Sequence, residues 1–186
     1  LARFTGGGSV GAGSLPVAQI VQLLDHHEAA APETNYTFTP GTPLSPDDFS
    51  AVIVKINLQS TASFKLEGLI NGLATLYSSQ RTRVNVGVVS GLSEVAQTTW
   101  ELASTVLNQF TAANVQIEYM IYLNSENFPT NERLGGFVRA MCFDVSEQGG
   151  IYNNTVGENE ISSLRIQAAA SSWRIGSTMD TYGVLN

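Results

Sequence analysis

Ionic side chains are scarce in this 186-residue chain: Asp, Glu, Lys and Arg make up 13% of it, against roughly a quarter of an ordinary soluble domain. Only Lys55 and Lys65 are lysines. A monomer keeps itself in solution with a mixed charged surface. A skin poor in charge and rich in Ser, Thr, Asn and Gln therefore predicts either cover by neighbouring subunits or a secreted or thermophile surface protein of unusual composition. Cys142 is the only cysteine, so no internal disulfide can form and a disulfide-stapled module is excluded. No apolar run reaches the ~18 residues of a membrane-spanning helix, so no transmembrane segment is expected. The net charge of −7 opposes nonspecific nucleic-acid binding, which needs clustered cations to neutralise phosphates, and leaves room only for a local basic strip.

Catalytic material is equally thin. The two histidines, His26 and His27, are adjacent, which leaves little for Ser-His-Asp chemistry. On a helix neighbours point about 100° apart, so the pair cannot grip one ion, and Asp25 and Glu28 complete a polar helix end rather than a metal site. Cys142 lies in the apolar run FVRAMCFDV and reads as a buried thiol. Glu33, Asp47, Asp48, Glu158 and Glu160 read as solvated loop acids. Ser90-Gly91, between VNVGVV and a helical pattern, lacks the glycines and lysine of a phosphate loop and reads as a tight corner, with Glu94 at the positive end of the following helix. Asn35-Tyr36-Thr37 and Asn153-Asn154-Thr155 match glycosylation sequons. No enzyme, cofactor or metal is expected.

What is present suits one domain, residues 15–186, behind a glycine-rich flexible arm, residues 1–14. Leu1 and Phe4 would anchor that arm on a neighbouring copy. Ser14 and Pro16 open a helix whose stripe is Val17, Ile20, Val21 and Leu24, ending before Pro32. Residues 32–50 carry Pro32, Pro40, Pro43 and Pro46 and read as a long loop with a short extended piece at NYTFT. Such loops are commonly functional or interfacial, and Pro40 and Pro43 are candidate assembly contacts.

From residue 51 the patterns read strand, helix, strand, helix, strand, strand. Residues 51–58 alternate as a strand. Leu66, Leu69, Ile70, Leu73, Leu76 and Tyr77 make a helical face, with Gly68 and Gly72 on another. RVNVGVV is a strand, and Ala96, Trp100, Ala103, Leu107 and Phe110 lie in helical register. VQIEYMIYL and GFVRAMCFDV form a long hairpin, SSLRIQAAASSWRI is a strand or a bent pair, and the end is irregular. This order predicts an α+β fold of two layers. A mixed sheet with parallel, right-handed crossovers would carry amphipathic helices on one face. Its other face would present Lys55, Asn57, Asn85, Gln116, Glu118 and Arg139, to water or to a partner.

The segment VNVGVVSGLSEVAQTTWELASTVLNQFTAANVQIEYMIYL, within residues 51–145, resembles in element order the Alba-type chromatin proteins and the C-terminal domain of translation initiation factor 3. The resemblance implies a nucleic-acid- or protein-binding module. Alba proteins place a lysine pair after the first strand; here that place reads Asn57-Leu58-Gln59-Ser60-Thr61, with no cation.

Arg81 and Arg83 alternate to one side of the second strand, and Arg165 and Arg174 lie in the last strands. Converging in an assembled particle, they would line an anion or RNA groove; otherwise they pair with acids. The composition, the arm and the proline-rich loop point to a non-enzymatic structural subunit that assembles with copies of itself. A virion coat protein or an extracellular filament or layer protein would fit, located in a virion or at an extracellular surface. The alternatives are an Alba-like nucleic-acid- or protein-binding module and a membrane-active pore-former whose helices swing out.

Overall fold

Several of these segments satisfy a period of two as well as a period of 3.6. In Lys65–Ile70 the buried residues are Leu66, Gly68 and Ile70, every second position, which is a strand with one face inward. Asn71 and Gly72 then take positive φ of 53° and 66°, and the Leu73 N–H donates to the Ile70 carbonyl at 2.9 Å. Asn-Gly at the centre of such a turn is the strongest local turn signal a sequence carries. It ends the strand where a helix would have continued.

The computed structural model describes residues 20–59, 65–85, 87–103, 114–123, 134–142, 145–153, 159–169 and 172–186. They contain twelve strands: β1 (Val21–Glu28), β2 (Asn35–Phe38), β3 (Phe49–Gln59), β4 (Lys65–Ile70), β5 (Tyr77–Asn85), β6 (Val88–Gln97), β7 (Trp100–Ala103), β8 (Asn114–Tyr122), β9 (Gly135–Cys142), β10 (Val145–Asn153), β11 (Leu164–Ala169) and β12 (Thr178–Leu185). No helix occurs among the described residues. The α+β expectation is therefore corrected to all-β. The first predicted helix is β1 over its described part, the second is β4 with the turn and the start of β5, and the third is β6 and β7 over its described part, Leu107 and Phe110 lying outside the described residues. Ser90-Gly91 is no corner but mid-strand in β6. The turn lies upstream, where Asn85 pairs with Val88 and Gly87 sits at a φ of 80°.

The strands form two sheets, of order β1-β12-β3-β8-β9-β10-β5-β6 and β2-β11-β4-β7. Every pairing among the described residues is antiparallel, so the expected parallel crossovers do not occur among them. The chain passes from β1 in the large sheet to β2 in the small one, back to β3, across to β4, back for β5 and β6, across to β7, back for β8, β9 and β10, across to β11 and home to β12; leaving out the inserted pairs β5-β6 and β9-β10, the sheets are β1-β12-β3-β8 and β2-β11-β4-β7. This is the connectivity of an eight-strand, double-sheet jelly roll. The pairs β5-β6 and β9-β10 extend the larger sheet. The strand–helix order that carried the likeness to Alba-type proteins does not occur among the described residues, nor do the helices assumed for a pore-former.

Other expectations stand. β3, β8 and β9 occupy the predicted strand segments, β8 and β9 pair as a hairpin, and the NYTFT piece is β2. The end of the chain, expected to be irregular, is β12, paired on both sides by β1 and β3. The predicted arm and its anchors Leu1 and Phe4 lie outside the described residues.

The core fills the space between the sheets. Val52, Val54, Ile56, Val115, Ile117, Tyr119 and Ile121 face inward from the large sheet toward Leu66, Ile70, Leu102, Leu164 and Ile166 of the small one. Each such burial contributes about 1.5–3 kcal/mol. Trp100 meets Tyr77 and Tyr119 edge-on, with centroids 5.1 and 5.8 Å apart, the arrangement that aromatic quadrupoles favour.

Candidate functional site

Because side chains alternate along a strand, filling the inner face of β3, β8 and β9 leaves the intervening residues on the outer face. The antiparallel register then sets these residues in rows. One row runs His26, Asp180, Lys55, Glu118, Arg139 across β1, β12, β3, β8 and β9. Its charges alternate in sign whenever His26 is protonated. Lys55, Glu118 and Arg139 are exposed, as are Asn57 and Gln116 in the next row. These are five of the six residues expected on this face; the sixth, Asn85, is half-buried. His26 Nδ1 bonds to Asp180 Oδ1, and this hydrogen bond raises the imidazole pKa above its usual value. Lys55 Nζ lies 5.7 Å from the Tyr182 ring centroid. Among the described residues Lys55, Glu118 and Arg139 make no ion pair. The row borders a depression of about 260 Å³ lined by Lys55, Asn57, Gln116, Glu118, Arg139 and Asp180.

Beside the ionic row runs an apolar one: Leu23, Tyr182, Ile53, Met120 and Phe137, again in register across five strands. Leu23 is 54% exposed and Phe137 42%, and Tyr122 on the same face is 46% exposed. Val21 and Leu23, read as helix residues, stay open on this face. A contiguous apolar strip rimmed by polar groups is the usual mark of an interaction surface.

The arginines sort differently. Arg81 and Arg83 lie on β5 and do point to one side, but that side is the interior. Arg81 and Glu147 side chains are each 1% exposed. Arg81 Nη2 donates to Glu101 Oε1 at 2.6 Å and Nη1 to Glu147 Oε2 at 3.2 Å. Arg83 Nε donates to Glu147 Oε1, and Lys65 Nζ lies 2.9 Å from Glu101 Oε2. Glu101 comes from β7 and Lys65 from β4, so the cluster bonds the small sheet to the large one. Burial pushes the Glu101 carboxyl up, and the Arg81 and Lys65 hydrogen bonds and charges more than offset it, leaving its pKa low. At Glu94, burial and the Glu101 charge dominate, and the pKa is raised. Arg81 offers no surface to an anion. Arg165 is exposed on β11, and Arg174 is exposed next to Trp173. Glu101, Glu147 and Lys65 were not legible as a cluster, because they meet only through pairing between distant strands.

The remaining candidates lie apart. His27 points inward, opposite to His26: its Nε2 bonds to Glu33 Oε2 at 2.7 Å and its ring stacks on Tyr36 with centroids 3.8 Å apart. Burial, then the hydrogen bond to Asp25, pushes the Tyr36 phenol up to about 12. Cys142 is buried, which raises its thiol pKa. Asn153 is also buried and its amide donates to the Thr75 carbonyl at 3.3 Å, while Asn35 is exposed. Pro40 is half-buried beside a second depression lined by Leu24, Tyr36 and Leu44, and Pro43 is exposed. Asp47, Asp48 and Glu160 are exposed, and Glu158 lies outside the described residues. No helix among the described residues is long and apolar enough to cross a membrane. No protein-family model matches the chain, and no curated protein matches it.

Proposed function

We propose that the protein is a non-enzymatic structural subunit that assembles with copies of itself, as a virion coat protein or an extracellular filament or layer protein does. The observation that carries this reading is the open face of the large sheet, where an apolar row lies beside an ionic row over five strands, with Lys55, Glu118 and Arg139 making no ion pair among the described residues. A chain with 13% charged residues exposes such a face at a cost in solubility unless something covers it. The jelly-roll wrapping is compatible with this role but does not carry it, since lectin and cupin domains share the architecture. Interior charged groups pair with one another: Arg81 binds Glu101 and Glu147, and His27 binds Glu33. That favours a scaffold over a catalyst. Copies of the same chain are the proposed partner.

Sedimentation velocity and negative-stain microscopy test this over protein concentrations from about 1 to about 100 µM, where a micromolar association must appear by mass action. Concentration-dependent oligomers or regular particles are expected. A strict monomer at the upper concentration overturns the reading.

A further inference from the structure

The open face of the large sheet is complementary to itself about one particular axis. We propose that two copies of the chain pack face to face through this surface, related by a two-fold axis that runs parallel to the strands between β3 and β8. This rests on the self-assembly reading and specifies the contact that would serve it.

The argument is one of charge and shape, row by row. A two-fold along the strands carries each row onto the same row of the second copy, with left and right exchanged. In the ionic row the order across the axis is Asp180, Lys55, then Glu118, Arg139. Lys55 thus faces the second copy's Glu118, and Asp180 faces its Arg139, each pairing occurring twice. The apolar row is Tyr182, Ile53, then Met120, Phe137; Ile53 meets Met120 and Tyr182 meets Phe137. In the next row Asn57 faces Gln116, amide to amide.

Other axes do worse. One directed along the rows would set Lys55 against Lys55 and Glu118 against Glu118. An axis between β12 and β3 would also match signs, but it leaves Arg139 without an opposite charge and overhangs the edge strand β1 sooner. The β3–β8 axis lies midway across the six strands β1, β12, β3, β8, β9 and β10. Six strands spaced about 4.8 Å apart and about eight residues long present roughly 800 Å², the area each partner buries in a stable interface of standard size. Sheets packed face to face stand about 10 Å apart. That spacing admits long Lys, Arg and Glu side chains into the depression between Lys55 and Arg139.

The test uses the full chain and two single reversals, Lys55→Glu and Glu118→Lys. Both positions are exposed, so both variants should keep the wild-type circular dichroism. Each reversal places like charges opposite one another twice, so each should weaken self-association about 100-fold. Mixing the two variants should restore it, because every contact in the mixed pair is then between opposite charges. Mixing Lys55→Glu with Asp180→Lys should not restore it. Phe137→Glu, on the apolar row, should abolish association independently. Wild-type oligomers that are indifferent to all these changes overturn this interface and leave self-assembly standing. Restoration by Asp180→Lys instead of Glu118→Lys overturns the β3–β8 axis. A monomeric wild type overturns both the interface and the assembly reading.

Discussion

The Tyr119 hydroxyl sits at full burial with no hydrogen-bond partner among the described residues, while the Tyr77 hydroxyl, equally buried, receives the Ile70 N–H at 2.8 Å. A buried polar group without a partner forfeits its hydration for nothing in return. Tyr119→Phe should therefore leave stability unchanged or raise it by about 1–2 kcal/mol, whereas Tyr77→Phe should cost about 1 kcal/mol in urea unfolding. Arg81 poses the reverse case. Truncating it takes one cation from each of two buried carboxylates, while Glu101 keeps Lys65 and Glu147 keeps Arg83, and Arg81→Met should cost about 3 kcal/mol. The pH dependence follows from Glu101. Its folded pKa is below the ordinary 4.5, so its contribution is present above about that pH and is lost as pH falls through the folded value. The stability gap between wild type and Glu101→Gln should be constant near neutrality and shrink on acidification below pH 4.5. A gap that widens there would contradict the ion-pair assignment. The pair Arg81 and Arg83 was legible as two cations on one side of a strand. Which side was not, because alternation gives two faces and says nothing about which is covered.

At the scale of elements, close approach of neighbouring strands decides which residues can be replaced. On β10, a Cβ added to Gly149 would lie 2.0 Å from the Gln80 carbonyl oxygen and 2.5 Å from Arg81 Cα. Backbone cannot yield cheaply, so Gly149→Ala should lose about 3 kcal/mol or more in urea unfolding. Gly91 on β6 has open space around it, and Gly91→Ala should be neutral to within about 0.5 kcal/mol. The same comparison explains why helices were expected where strands formed. Leu66, Leu69, Ile70 and Leu73 fit a helical stripe, and Leu66 and Ile70 equally fit an alternating one. β4 resolves the tie through hydrogen bonds to β11, with Leu66 opposite Ala168 and Ile166 opposite Gly68, about 100 residues along the chain. The Asn71-Gly72 turn was the one local signal that could have settled it. β6 offered less: its outer valines, Val88, Val89 and Val95, remain exposed at the sheet edge, so neither period marks a buried face.

For the whole molecule, the first and last described strands are neighbours: β1 pairs with β12, and β12 with β3. Closing that pairing requires chain ends far apart in sequence to meet before their contacts contribute. Folds dominated by such distant pairings refold in milliseconds to seconds rather than microseconds. Stopped-flow tryptophan fluorescence should follow this through Trp100, which is buried against Tyr77 and Tyr119. Microsecond refolding would argue against the closed jelly roll. Only at this scale do the outer rows come into line. Lys55, Glu118 and Arg139 are scattered in sequence, and antiparallel register alone puts them in line.

By itself the sequence determined the scarcity of charge, the lone buried cysteine, the strands at β3, β8 and β9, and which of their residues turn away from the core. All of these follow from composition or from a local period of two, which each residue satisfies with its own near neighbours. The tertiary structure alone decided that the ambiguous segments are strands, that Arg81 is shut between two sheets, and that the tail is an interior strand. Those outcomes rest on hydrogen bonds and ion pairs between residues tens to more than a hundred positions apart, and such bonds leave no periodic trace in either partner's own segment.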